Sequence, residues 1–177
     1  MNNHKQTLIK KSLVGLVVSI LLIVLDQLTK FLAVAHLKNQ AAISILPGVF
    51  ELSYLENRGA AFSILQNQRT FFLILTPILL ILIVFFYLRQ IPDEPRYRWL
   101  NYIAILIFSG AIGNFIDRAA NGYVVDFFYF VLIDFPVFNV ADIYVVIAAA
   151  LLIILGLFYY KEEDFERLLT IRKKTSA

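Results

Sequence analysis

The chain has 177 residues, of which 60% are hydrophobic and 16% charged, with a mean hydropathy of +0.75. A water-soluble domain is usually closer to 45–50% apolar and about 25% charged, so a chain of this size could not bury its apolar surface in water and reads as a membrane protein. No Cys is present, which excludes disulfides, thiolate metal sites, a Cys nucleophile and lipidation on this chain's own Cys. The net charge of +3 is more informative by position than as a total.

A helix needs about 20 residues to cross a bilayer. The first apolar run starts at Leu13, after Lys10 and Lys11, and reaches Leu37. It opens like a signal peptide, but Asp26 and Lys30 interrupt it where a small-residue cleavage site would fall, so it is expected to be a retained helix over 13–37. Further spans are predicted over 70–88, with Pro77 tolerable as a kink, 99–116 and 137–160, leaving tails 1–12 and 161–177 on one domain, 1–177. Tyr97, Trp99, Tyr102, Tyr159 and Tyr160 lie near span ends, where amphipathic rings favour the interface.

Basic residues set the orientation. Lys5, Lys10 and Lys11, then Arg89, Arg96 and Arg98, then Lys161, Arg167, Arg172, Lys173 and Lys174 mark both tails and the middle loop as cytoplasmic. The loops from Lys38 to Arg69 and from Asp117 to Pro136 then face outward. In the first, Ala42–Leu46, Pro47-Gly48 and Val49–Leu55 read as a β-hairpin, and Gly59–Gln66 as a short amphipathic surface helix. The C-terminal tail, which mixes Glu162, Glu163, Asp164 and Glu166 with basic residues, reads as a solvated helical extension. The expected fold is therefore an all-α integral membrane protein of four transmembrane helices, with a small extracytoplasmic β-hairpin or cradle.

A charge in the middle of a bilayer costs roughly 2.5–3.5 kcal/mol on insertion scales, so the ionisable groups in and beside the spans are functional candidates. Asp26 sits roughly 20 Å along the first helix from Ser12, with Lys30 one turn further in the favourable acid-then-base order. That pair either neutralises itself or lines a polar site, and the two roles are compatible. Asn114, Asp117 and Arg118 follow the small-residue stretch Ser109–Gly113 and share one helical face. Asn139 and Asp142 have the spacing of a helix cap, and Asp142 then stands at a helix N-terminus. Asp126 lies in Val124-Val125-Asp126-Phe127-Phe128, between apolar neighbours that would raise its pKa. Two carboxyls that titrate apart can divide acid and base roles in water-mediated amide hydrolysis. His4 and His36 do not make a zinc site, and neither H-E-x-x-H, G-x-S-x-G nor a phosphate-binding Gly-rich loop occurs.

Five blocks now stand in order: Asp26-Gln27-Leu28-Thr29-Lys30, Asn57-Arg58-Gly59-Ala60-Ala61-Phe62, Gly113-Asn114-Phe115-Ile116-Asp117-Arg118, Val124-Val125-Asp126-Phe127 and Phe138-Asn139-Val140-Ala141-Asp142. Together they resemble the motif blocks of the lipoprotein signal peptidase (signal peptidase II) family, over all but the two tails. The resemblance implies a bacterial inner-membrane aspartic endopeptidase that cuts signal peptides from diacylglyceryl-modified prolipoproteins just before the lipidated Cys. It implies Asp126 and Asp142 as the catalytic pair, and Asp26, Lys30, Asn57, Gly59, Asn114, Asp117, Arg118 and Asn139 as supporting or substrate-binding residues. Neither a metal nor an organic cofactor is implied. The expected partners are the prolipoprotein and membrane lipids, without nucleic acid, and the chain is expected to act as a monomer. Ala111 stands where some members have a second Gly, and 128–135 matches weakly. Two other classes compete: a proton- or ion-coupled transporter using the intramembrane carboxylates, and a non-catalytic assembly protein joined by small-residue helix contacts.

Overall fold

A computed structural model describes residues 2–59 and 68–170, with side chains from residue 6 onward. The chain runs α1 (Asn2–Leu37), β1 (Ile43–Leu46), β2 (Phe50–Asn57), α2 (Arg69–Phe85), α3 (Arg98–Ala120), β3 (Val124–Tyr129), α4 (Val140–Phe158) and α5 (Glu162–Leu169). Four helices are long and apolar enough to cross a membrane: Gln6–Leu37, Arg69–Gln90, Pro95–Ala120 and Val140–Phe158. Their outer surfaces carry exposed Leu, Ile, Val and Phe, among them Ile81, Ile153 and Phe158. That is the inverse of a soluble bundle and suits contact with lipid.

Helix α3 is the hub, packed against α1, α2 and α4. Close approach is made possible by small residues. A Cβ on Gly110 would lie 2.6 Å from the Ala141 carbonyl oxygen, and one on Gly113 would lie 2.4 Å from an Asp26 carboxylate oxygen. Ser109, Ala141 and Ala148 are fully buried along the same seam, as expected for helices that associate through packing in lipid.

Several boundaries differ from the predicted spans, three of them with a clear physical reason. Helix α3 continues past 116 to Ala120, because Asn114 and Asp117 find partners inside the protein. Helix α4 starts at Val140 instead of 137, because Asn139 caps it and Phe138 is extended, bridged to Phe128. Helix α1 extends back to Asn2, since nothing in the tail breaks it.

The hairpin is present. Pro47 and Gly48 form its turn, with the Val49 N–H donating to the Leu46 carbonyl at 2.9 Å and Gly48 at φ +71, the conformation a Pro-Gly turn requires. It is not an isolated hairpin, however: β3 pairs antiparallel with β2, giving a three-stranded sheet in the order β1-β2-β3. Val125 and Phe127 pack with Ala33 and Leu37 at the end of α1, fixing the sheet to the bundle. The expected surface helix over 59–66 lies, apart from Gly59, outside the described residues.

At the opposite end the C-terminal tail is the helical extension expected, with Glu162, Glu163 and Glu166 exposed, but one face of it is docked. In α5, Asp164 and Leu168 are buried. Arg96 donates to both Asp164 carboxylate oxygens, through Nε at 2.7 Å and Nη2 at 2.5 Å, and the Tyr97 hydroxyl donates at 2.8 Å. These donors, Arg96 foremost, hold the Asp164 carboxyl well below the usual range. Tyr97 and Tyr160 are buried rather than interfacial and stack at 5.9 Å, whereas Trp99, Tyr102 and Tyr159 are exposed as expected.

Candidate active site

Every polar residue singled out in the sequence is found at the sheet-bearing end of the bundle, in one connected hydrogen-bond network. Asn139 is its centre. As N-cap of α4 its side-chain oxygen accepts the Asp142 N–H at 3.1 Å, while its own N–H donates to Asp142 Oδ2 at 3.1 Å. This is the reciprocal capping arrangement. Its Nδ2 then has two acceptors, Asp126 Oδ1 at 2.6 Å and Asn114 Oδ1 at 3.1 Å. Asn139 is completely buried, so the amide that caps the helix also ties the two aspartates together.

Asn114, one layer deeper on α3, donates from Nδ2 to Asp142 Oδ1 at 2.9 Å. Its orientation is fixed by Lys30, whose Nζ donates to Asn114 Oδ1 at 2.9 Å. Asn57, last residue of β2, donates to Asp126 Oδ2 at 2.8 Å and accepts the Gly59 N–H at 2.9 Å. Arg118 holds the Gly59 carbonyl at 2.8 Å and lies over the Phe72 ring, 4.5 Å from its centroid. All four oxygens of Asp126 and Asp142 therefore receive an N–H donor.

Asp126 is 1% exposed. Burial and the neighbouring Asp142 carboxylate push its carboxyl up from an ordinary 3.8 to about 7, against the opposing pull of the Asn57 and Asn139 amides and Lys30. A carboxyl raised in this way, linked through the Asn139 amide to a second carboxyl, can exchange protons with water.

Beneath this layer lies a buried charge cluster. Lys30 Nζ stands 2.9 Å from Asp26 Oδ2 and 3.2 Å from Asp117 Oδ2. The i,i+4 neutralising pair is thus real, but it is shared with a second acid on α3. Asp117 pairs with Lys30, whereas its neighbour Arg118 donates to carbonyl oxygens and lies over an aromatic ring.

Sequence reasoning missed two contributors. Strand β3 places Asp126 beside Asn57 through the pairing of Leu55 with Asp126 and Asn57 with Val124. Gln27 reaches three acceptors in the charge cluster; its position between Asp26 and Lys30 was the only signal available. Among the described residues no group of three or more His, Cys, Asp or Glu is arranged to hold a metal ion.

Residues 18–158 match the family profile described as signal peptidase (SPase) II. A lipoprotein signal peptidase of Streptococcus thermophilus is 50% identical over 143 residues, covering 81% of this chain and 90% of the relative. One from Streptococcus pyogenes is 43% identical over 147 residues, covering 82% and 92%. Among solved structures, a bacterial membrane enzyme determined by the in meso method at 2.3 Å superposes with a TM-score of 0.71 at 31% identity, covering 93% of this chain and 94% of that one. A second, at 1.9 Å, gives 0.71 at 33% identity over 83% and 94%. A network built around two aspartates at one end of four membrane-spanning helices agrees with these likenesses, and the chain belongs to the signal peptidase II family of aspartic peptidases.

Proposed function

We propose that this protein is the endopeptidase that removes signal peptides from diacylglyceryl-modified prolipoproteins, cutting just before the lipidated Cys, with Asp126 and Asp142 as the catalytic residues. The observation that carries this reading is the Asn139 side chain, which donates to Asp126 while capping Asp142. The two carboxyls are thereby held on either side of one amide, each supplied with donors.

Asp142, receiving the Asn139 N–H and the Asn114 amide at the start of α4, acts as the ionised base. It takes a proton from water as the water oxygen bonds to the scissile carbonyl carbon. Asp126, whose carboxyl is raised to about 7 so that a large share of molecules carry its proton at neutrality, supports the developing oxyanion and then protonates the leaving amine as the C–N bond breaks. Asn57, Gly59, Asn114, Arg118 and Asn139 hold this pair and the adjoining chain, and Asp26, Lys30 and Asp117 underpin it. Water, the two carboxyls and these supports suffice for the step.

The basic residues of the N-terminal tail, of the segment between α2 and α3, and of the C-terminal tail favour a cytoplasmic location for both termini. The active site then faces the extracytoplasmic side of the cytoplasmic membrane, where the cleavage site of an exported precursor emerges. We read the chain as a single domain acting as a monomer on a lipid-anchored protein substrate within the bilayer. The transporter reading finds no support in the family membership.

The test is cleavage of a purified lipidated precursor by protein reconstituted in lipid nanodiscs. Asp126→Asn and Asp142→Asn should each lower kcat by about 10³-fold or more. Normal cleavage by either variant refutes the assignment, and ion flux through reconstituted vesicles would revive the transporter reading.

A further inference from the structure

The two proposed catalytic aspartates sit on separate pieces of backbone, Asp126 on β3 and Asp142 on α4, and no covalent feature fixes the gap between them. Beneath the Asn139 amide that links them, the buried charge cluster also spans the gap, and its hydrogen bonds have a symmetry that the sequence does not reveal. Asp26 Oδ1 accepts the backbone N–H of Ala141 at 2.9 Å, and Ala141 immediately precedes Asp142. Asp117 Oδ2 accepts the backbone N–H of Val125 at 3.1 Å, and Val125 immediately precedes Asp126. Each acid of the cluster therefore holds the backbone N–H of the residue that precedes one proposed catalytic residue.

The two grips are joined by two side chains from α1. Lys30 Nζ bridges Asp26 Oδ2 and Asp117 Oδ2. The Gln27 amide, one turn earlier, donates to Asp26 Oδ2 at 3.1 Å, Asp117 Oδ1 at 3.1 Å and the Gly113 carbonyl at 3.2 Å. Asp26, Lys30 and Asp117 are at most 4% exposed, so the bonds between them are strengthened by the low dielectric, while Gln27 is half-buried.

We infer that Gln27 and Lys30 are positioning residues, a yoke from α1 that sets the separation of the catalytic carboxyls by tying together the two acids that hold the backbone N–H groups of the residues before Asp126 and Asp142. The inference rests on the dyad reading above and adds Gln27 to the residues the reaction needs. The division of labour follows from chemistry. Lys30 supplies the charge that lets two carboxylates be buried side by side. Gln27 is neutral and supplies only geometry, so it is the cleaner residue to change.

The experiment uses the full chain in nanodiscs with a diacylglyceryl-modified precursor. Gln27→Leu, which keeps the side-chain bulk and removes the donors, should lower kcat per folded molecule by about 10- to 100-fold, the scale expected from a sub-ångström to 1 Å misplacement, with KM within about twofold because no substrate contact is lost. Lys30→Arg, which keeps the charge and the donors, should retain more activity than Lys30→Met. A role confined to folding would lower yield and Tm and leave kcat per folded molecule unchanged; that result overturns the inference. Should Gln27→Leu fail to fold, Gln27→Asn, one methylene too short to reach both acids, serves in its place with the same expected and refuting outcomes. Asp126→Asn and Asp142→Asn run alongside separate the two claims. Inactive dyad variants beside a normal Gln27→Leu enzyme sink the yoke alone, and active dyad variants sink the reading on which it stands.

Discussion

Replacing Gly113 by alanine tests the close packing on which the network depends. A Cβ there would lie 2.4 Å from Asp26 Oδ2, 3.0 Å from Asp26 Cγ and 3.3 Å from the Ala141 Cβ. To reach ordinary contact the carboxylate must retreat by about 1 Å or more. It has no free direction, since its other oxygen holds the Ala141 N–H and Oδ2 itself is bonded to Lys30 and Gln27. Overpacking of a tight interior costs about 1–3 kcal/mol, and weakening a buried charge-assisted hydrogen bond about 1.5–3 kcal/mol. Gly113→Ala should therefore lose about 3–5 kcal/mol of stability and at least tenfold in kcat. Thermal unfolding in detergent and precursor cleavage measure the two. Gly15→Ala is the control: its Cβ meets the Tyr87 hydroxyl at 2.6 Å, the far end of a rotatable side chain at the other end of the bundle. It should leave kcat near wild type. Wild-type Tm and kcat in Gly113→Ala would refute the packing argument outright.

Three further outcomes are expected. Because the Asp126 carboxyl is raised from 3.8 to about 7, the folded protein retains a proton there that the unfolded chain has released. The stability associated with that proton is fully present below about pH 4 and is lost as pH rises through about 7. Asp126→Asn should thus melt higher than wild type at about pH 8 while remaining inactive, and wild-type kcat should fall as pH rises through the same value; a flat profile across that range contradicts the assignment of Asp126 as the acid. Asn139→Ala removes a helix cap, worth about 0.5–2 kcal/mol, together with the donor to Asp126. It should lower both Tm and kcat, and an unaffected kcat would deny Asn139 its place between the aspartates. Asp164→Ala, at the other end, should lower Tm without changing kcat per folded molecule. Because the native-state pKa of Asp164 is depressed, the stability it contributes is present above its unfolded value and is lost as pH falls, so the gap between wild type and variant in melting curves should narrow in acid.

The four spans were legible in the sequence because runs such as 71–86 are long and apolar enough to cross a bilayer. The acids and amides were legible because each is out of place there. What stayed hidden was long-range. Strand β3 has no alternation to read, since Val124 to Phe127 are all buried; a strand covered on both faces lacks the period-two signature. Its partner β2 lies nearly 70 residues earlier in the chain, with Asn57 reaching Asp126 across |i−j| = 69. Asp164 resembled one more charge in a mixed tail, and only folding brings it to Arg96. The paired Asp26 and Lys30 were visible at i,i+4, but the third member, Asp117, comes from another helix. The capping residue Asn139 shows the opposite case: its local role was readable from spacing, and the same side chain also donates to Asp126.

The grip of Arg118 on the Gly59 carbonyl has a mirror image on the next helix. Arg69, at the start of α2, donates to the carbonyls of Arg118 and Ala119 at 3.0 and 2.7 Å. Both ends of the stretch 60–67 are consequently fastened to the same turn of α3, independently of the residues between them. A segment closed in this way tolerates changes of length cheaply, since doubling a loop adds only about 0.6 kcal/mol of closure entropy. The backbone on either side of it, at Gly59 and at Arg69, is thus set by α3 itself.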